Sequence, residues 1–132
     1  MSEFKSIDEA REYFAGDIFA KNAGITIDEI GDGYSICSME ITESHKNAAG
    51  GVMGGAIFTL GDLAFAVASN NMHRTTVAQN VSINFLSGAK GTRLYAKAVC
   101  KKDGKNSCVY NVDITDDTGR DIAQFIGTGY KL

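Results

Sequence analysis

One acidic residue stands alone in the most apolar part of the chain. Asp62 is the single charge within residues 48–72, and its neighbours in sequence include Leu60, Leu63 and Phe65. Because burial disfavours a charged carboxylate, we expect the pKa of Asp62 to be raised toward that of a useful general base. The alternative is a buried structural carboxylate that is bonded to neighbouring backbone or to a lysine.

Two glycines ahead of this carboxylate are candidate hydrogen-bond donors. Gly54 and Gly55 fall where a helix would begin, so their N–H groups are unpaired and lie at the positive end of its dipole. Without side chains they let a carbonyl oxygen approach, although close packing of loop and sheet would also explain them. Gly54 lies about 12 Å from Asp62 along a helix that rises ~1.5 Å per residue. This separation favours a site built from two subunits.

The element that carries Asp62 is predicted to be a buried helix. Apolar residues after Gly55 fall on all sides of a 3.6-residue period, which is typical of a helix that is buried all round. A membrane span is the first alternative, but Gly61 and Asp62 interrupt its middle and Ser69 begins a polar end. We therefore expect a globular domain that surrounds the helix.

Alternating apolar residues predict strands on both sides of the central helix. A capping box over Ser6–Glu9 begins a short helix that Gly16 or Gly24 ends, and a two-stranded hairpin follows. Four more strands come after the central helix. We interpret residues 1–132 as a single α+β domain, an antiparallel sheet wrapped around one long helix. Such a sheet leaves unpaired edges, so we expect an oligomer.

The hairpin between the fourth and fifth strands can be registered from its apolar rows. A two-residue loop would place those rows on opposite faces of the sheet. A three-residue loop of Asp103, Gly104 and Lys105 aligns them and pairs Cys100 with Cys108. We predict the three-residue loop.

Composition narrows the classes of function. The chain has 132 residues, 44% of them hydrophobic, and its net charge of −3 gives no general attraction to nucleic acid or anionic lipid. Three cysteines without C-x-x-C spacing form neither a disulfide framework nor a zinc site. No segment has the pattern of a secretory signal, so we expect a cytoplasmic protein.

The residues around Asp62 carry a recognisable pattern. It reads His45-x-Asn47-x-x-Gly50-x-x-Met53-Gly54-Gly55-Ala56-x-Phe58-x-Leu60-x-Asp62-x-Ala64-Phe65. This pattern resembles that of the hotdog-fold acyl-CoA thioesterases of the PaaI (phenylacetic acid degradation) type. Residues 84–89, Asn-Phe-Leu-Ser-Gly-Ala, and the turn at Gly104 are similar to later segments of the same family. The resemblance therefore implies the hotdog fold.

The resemblance also implies catalytic roles. Asp62 would be the general base or the nucleophile, supplied across a dimer interface. The backbone N–H of Gly54, with Gly55 beside it, would form the oxyanion hole, and Asn47 would position the thioester or the water.

Further residues are expected to contact the substrate. They are His45, Met53, Phe58, Ala78 and Lys105. Met53 stands where the family usually has histidine, and Ala78 where many relatives have serine or threonine. Both departures would lower the rate, change the substrate or mark a member that binds without hydrolysis. His45 has a structural, loop-capping role as its alternative, and Lys105 either meets coenzyme A phosphates or lines a solvated strand face.

Three functions are weighed on this pattern. The first is an acyl-CoA thioesterase that releases an aryl- or medium-chain acid and coenzyme A, which is itself part of the substrate, so no metal or cofactor is needed. Its working unit is a homodimer that assembles into a homotetramer. The alternative is a non-catalytic hotdog protein that binds acyl-CoA or an aromatic acid. The third is dehydration of a hydroxyacyl thioester, but neither histidine is placed for it.

Overall fold

The chain folds into one six-stranded sheet and three α-helices, which a computed structural model describes for residues 2–132. In chain order the elements are α1 Ile7–Phe14, α2 Ile18–Asn22, β1 Ile25–Gly31, β2 Tyr34–Glu40, α3 Gly54–Met72, β3 Thr76–Phe85, β4 Arg93–Asp103, β5 Ser107–Asp116 and β6 Asp121–Lys131. All neighbouring strands are antiparallel, and their order is β1-β2-β4-β5-β6-β3.

The sheet is wrapped around α3, as the apolar sequence of this helix predicts. α3 contacts all six strands, and Leu60, Val67 and Ala68 are fully buried. Gly61 allows a close approach to β6, because a Cβ atom there would lie 3.0 Å from the Phe125 ring. The hotdog arrangement is therefore confirmed. Among the residues described, no helix is both long and apolar enough to cross a bilayer.

The N-terminal region contains two short helices where the sequence predicts one. Ser6 caps α1, and its hydroxyl accepts a hydrogen bond from the Glu9 N–H at 3.2 Å. α1 ends at Phe14, ahead of Gly16. α2 then begins between Gly16 and Gly24, the two residues predicted as alternative ends of a single helix, and it ends just before Gly24, whose φ is 82°. Both glycines therefore mark helix ends.

The register of the β4–β5 hairpin differs from the prediction. Cys100 lies opposite Tyr110 and Asp103 lies opposite Cys108, so the predicted cysteine pair and the predicted loop are wrong. A β-bulge between Cys100 and Lys102 adds one residue to β4, and the loop begins one residue later. The sequence predicts that the length of the loop aligns the apolar rows of β4 and β5. The bulge aligns them instead, because the extra residue keeps both rows on the side of the sheet that faces α3.

The edge strand β3 is exposed along most of its length. Val77 is 41% exposed and Phe85 is 54% exposed, although both are large apolar residues. β3 pairs with β6 on one side, and its other side has no strand neighbour within residues 2–132. An unpaired edge with exposed apolar side chains is a surface on which another chain can pack.

Candidate active site

Asp62 lies half-buried on α3 and opens into two adjoining grooves. We call the first the α2 groove; it runs between α2 and α3 and is lined by Phe19, Phe58 and Asp62. The second, the β3 groove, passes the start of β3 and includes Ala78. Within residues 2–132, no hydrogen bond or ion pair reaches the Asp62 carboxylate. The alternative role for Asp62 was a structural carboxylate bonded to backbone or to a lysine. The described residues do not provide such a partner.

The surroundings of Asp62 favour its neutral form. Burial raises the pKa of Asp62 above the usual range for a carboxyl, and the negative charge of Asp17 raises it further. Within residues 2–132 no donor stabilises the charged form, so a proton binds this carboxylate more readily than it binds an exposed one. The raised pKa expected from the apolar sequence around Asp62 is confirmed.

The first turn of α3 presents free hydrogen-bond donors. The N-cap residue Met53 makes no capping side-chain bond. Its carbonyl accepts from the N–H groups of Ala56 and Ile57 at 3.0 and 3.3 Å, whereas those of Gly54 and Gly55 bond to nothing within residues 2–132. Two unpaired N–H groups at the positive end of a helix suit a developing oxyanion.

Gly54 and Gly55 differ in what surrounds them. A Cβ atom at Gly54 would lie 3.1 Å from Cζ of Phe85, whereas one at Gly55 would have no neighbour within 4 Å. The Phe85 ring thus covers Gly54, and only a glycine fits there without displacing it. Asn47, Gly54 and Phe85 line one cleft, which we call the Asn47 cleft.

Asn47 shapes the loop that leads to α3. Its Oδ1 accepts from the N–H groups of Ala49 and Gly51 at 3.0 and 3.1 Å, and its own N–H donates to the Gly51 carbonyl at 2.8 Å. Gly50, with φ of 86°, completes this turn. The Asn47 Nδ2 has no partner in the described part of the chain. It can therefore face a ligand in the Asn47 cleft.

His45 is buried and uses both ring nitrogens within the fold. Nδ1 accepts from the Thr42 N–H at 3.0 Å, so Nε2 carries the proton and donates to the Ala23 carbonyl at 2.7 Å. These two hydrogen bonds give the His45 ring the structural, loop-capping role that the sequence offered as an alternative to substrate contact. The ring also lines a groove with Met53, which is 54% exposed, so contact with a ligand would involve the carbon edge of the ring.

The structure groups the candidate residues into separate surfaces of one chain. Asn47 lies with Gly54, and Phe58 lies with Asp62, but the two pairs line different clefts. Lys105 is exposed in the β4–β5 loop and lines none of the grooves named here. Within residues 2–132, no group of three or more His, Cys, Asp or Glu side chains is placed to hold a metal ion.

The structure adds Asp17 and Phe85 to the residues that surround the site. Asp17 lies far from Asp62 in sequence, and no local signal placed it in the same groove. Phe85 belongs to the Asn-Phe-Leu-Ser-Gly-Ala segment, but its contact with Gly54 depends on how β3 passes the start of α3.

A six-stranded sheet wrapped around one long helix is the hotdog fold. Within residues 2–132, that helix carries an unpaired carboxylate and has free N–H groups at its start. A family model described as Thioesterase superfamily matches residues 49–123. The acyl-coenzyme A thioesterase PaaI of Escherichia coli is 31% identical over 129 residues, which cover 97% of this chain and 92% of that protein. Human acyl-coenzyme A thioesterase 13 is 34% identical over 104 residues, or 76% of this chain and 74% of that protein.

Solved structures give the same result. The Escherichia coli PaaI structure matches with a TM-score of 0.84 and 28% identity, covering 96% of each chain. A hypothetical thioesterase from Streptococcus pneumoniae, solved with coenzyme A, matches with a TM-score of 0.81 and 27% identity over 89% of this chain and 94% of that one. The chain belongs to the thioesterase superfamily, and it is a thioester hydrolase.

Proposed function

We propose that the chain hydrolyses acyl-coenzyme A with an aryl- or medium-chain acyl group, releasing the acid and coenzyme A. The observation that carries the proposal is the Asp62 carboxylate, which has no partner within residues 2–132 and opens into grooves lined by aromatic and aliphatic side chains. Two relatives named acyl-coenzyme A thioesterases support the substrate class. The Streptococcus pneumoniae structure that holds coenzyme A supports it as well.

In the proposed reaction Asp62 acts first. As a general base it takes a proton from a water molecule, and the hydroxide oxygen that forms attacks the thioester carbonyl carbon. As a nucleophile, the alternative role, it would attack that carbon itself, and water would hydrolyse the resulting anhydride. In both routes the carbonyl oxygen becomes an oxyanion that the Gly54 N–H stabilises. The coenzyme A thiolate leaves when the oxyanion collapses, and Asn47 positions the thioester or the water.

The proposed site is shared between two chains. Gly54 and Asp62 are about 12 Å apart along α3 and line different clefts, so the oxyanion donors of one chain serve the carboxylate of another. The exposed apolar edge of β3, which includes Val77 and Phe85, is the surface we assign to the contact. The working unit is then a homodimer, and we propose that dimers assemble into a homotetramer.

The remaining expectations become parts of the proposal. His45, Met53, Phe58 and Ala78 contact the substrate, and Lys105 meets the coenzyme A phosphates. Coenzyme A enters as part of the substrate, and no metal or separate cofactor takes part. A cytoplasmic location is supported by the three cysteines, which are all unpaired and suit a reducing compartment.

A thiol-release assay over a panel of acyl-CoA substrates tests the proposal. Wild-type protein should release coenzyme A from aryl- or medium-chain substrates, and Asp62→Asn should release almost none. Equal rates for both proteins would remove Asp62 from the mechanism. Tight binding without turnover would identify a binding protein, and loss of a hydroxyacyl thioester without thiol release would identify a dehydratase.

A further inference from the structure

A second carboxylate, that of Asp17, faces the grooves that hold Asp62. Asp17 lines both the α2 groove and the β3 groove. It occupies the N-cap position of α2, but its side chain makes no capping hydrogen bond. Only its backbone takes part in the local hydrogen bonds. Its N–H donates to the Phe14 carbonyl and its carbonyl accepts from the Lys21 N–H, both at 3.0 Å. Within residues 2–132, no hydrogen bond or ion pair involves the Asp17 carboxylate.

No cation balances this pair of carboxylates within the described residues. Besides Asp62 itself, the titratable groups that line the two grooves are Asp17, which precedes α2, and Tyr13, which lies on α1. The elements on the other side of Asp62 contribute uncharged side chains such as Thr76 and Ala78 of β3. The nearest cation that contacts a lining ring is Arg74, whose guanidinium lies 5.2 Å from the centroid of the Tyr13 ring but lines neither groove. Among the lining side chains within residues 2–132, a further negative charge would therefore meet two carboxylates and no cation. The raised pKa of Asp62, due first to burial and then to Asp17, agrees with this field.

We propose that Asp17 is a specificity-determining residue that repels acyl groups carrying a carboxylate and so restricts the enzyme to neutral acyl groups. The inference rests on the proposed function. Because Asp17 lines the grooves on both sides of Asp62, an acyl group that lies in either groove passes this charge. The charge of Asp17 also disfavours ionisation of Asp62. The acid limb of the pH–rate profile, where Asp62 becomes protonated, should therefore lie at a higher pH than it would without Asp17.

The test compares hexanoyl-CoA with glutaryl-CoA, which carries a terminal carboxylate. Asp17→Asn should raise kcat/KM for glutaryl-CoA relative to hexanoyl-CoA about five- to tenfold, and it should move the acid limb for hexanoyl-CoA to lower pH. Asp17→Glu, which keeps the charge, should behave like wild type. Glu12→Gln is the matched control, since it removes an exposed acid of α1 that lines neither groove.

The outcomes separate this inference from the proposed function. If wild type hydrolyses hexanoyl-CoA, Asp62→Asn does not, and Asp17→Asn changes neither the substrate ratio nor the acid limb, the inference is overturned and the proposed function stands. A change of the same size in Glu12→Gln would also overturn it, because any surface acid would then have the effect. If the wild-type protein releases no thiol from any substrate, the proposed function and the inference about Asp17 are both overturned.

Discussion

Asp62 and Asp116 are the same residue type in opposite surroundings. Asp116 is buried at the end of β5, beside the turn that leads to β6, and its carboxylate accepts five hydrogen bonds at 2.6–3.1 Å. The donors are the N–H groups of Lys90, Gly91, Thr118 and Arg120 and the hydroxyl of Thr118. Asp62 accepts none within residues 2–132.

The pKa values follow these surroundings. The hydroxyl of Thr118, together with backbone N–H groups, holds the pKa of Asp116 well below its usual range, although burial alone would raise it. Burial and the charge of Asp17 raise the pKa of Asp62. The fold therefore stabilises the charged form of Asp116 where that carboxylate organises a turn, and within residues 2–132 it gives no such stabilisation to Asp62, where we propose that a proton is taken up.

The largest expected difference between the two aspartates is in catalysis. Asp62→Asn should lower kcat/KM at least about 100-fold, because it removes the group that accepts the proton. Asp116→Asn should leave kcat/KM per folded molecule unchanged, since that carboxylate lies in none of the site's clefts. Steady-state kinetics with coenzyme A release, corrected for folded protein by circular dichroism, measures both. A comparable loss in both variants would abolish the distinction.

The next difference is in stability. Asp116→Asn replaces an acceptor of five hydrogen bonds by a side chain with one acceptor oxygen, so the thermal midpoint should fall by roughly 5 °C or more. The folded pKa of Asp116 is lowered, so its contribution is present above the unfolded value of about 3.9 and is lost as the pH falls below it. Melting curves at pH 7 and pH 3 should show the gap between variant and wild type narrowing. A gap that is constant with pH would mean that the charge of Asp116 is irrelevant.

The smallest expected effect is on the thermal midpoint of Asp62→Asn, which should rise, whereas that of Asp116→Asn should fall. The folded pKa of Asp62 is raised, so folding is opposed once the pH exceeds the unfolded value of about 3.9 and the carboxylate ionises. Asp62→Asn should therefore melt roughly 1–2 °C above wild type at pH 7, and the advantage should vanish at low pH. Destabilisation at pH 7 would show that Asp62 has a structural partner.

Sequence patterns predict the parts of this fold that depend on neighbours along the chain. The apolar period places α3, alternation places the strands, and Ser6 marks the start of α1. The β4–β5 register was missed because the bulge after Cys100 leaves both apolar rows intact, and no residue type announces it.

The site is predictable in its parts but not in its assembly. An isolated charge in an apolar helix and two glycines at its start identify Asp62 and Gly54 as candidates. The presence of Asp17 beside Asp62 depends on how α2 packs on α3, which no short pattern encodes. The Asp-Asp-Thr-Gly sequence at Asp116 predicts a turn, but its bonds to Lys90 and Gly91 arise from a distant loop.

A mixed-dimer experiment tests the shared site most directly. Gly54→Val should be inactive because its side chain displaces Phe85 and blocks the N–H, and Asp62→Asn should be inactive because it lacks the carboxylate. After subunit exchange at equal amounts, half of the dimers are mixed and each has one intact site, so about a quarter of wild-type activity should return. Activity that stays at the level of the two separate variants would contradict a site built from two chains.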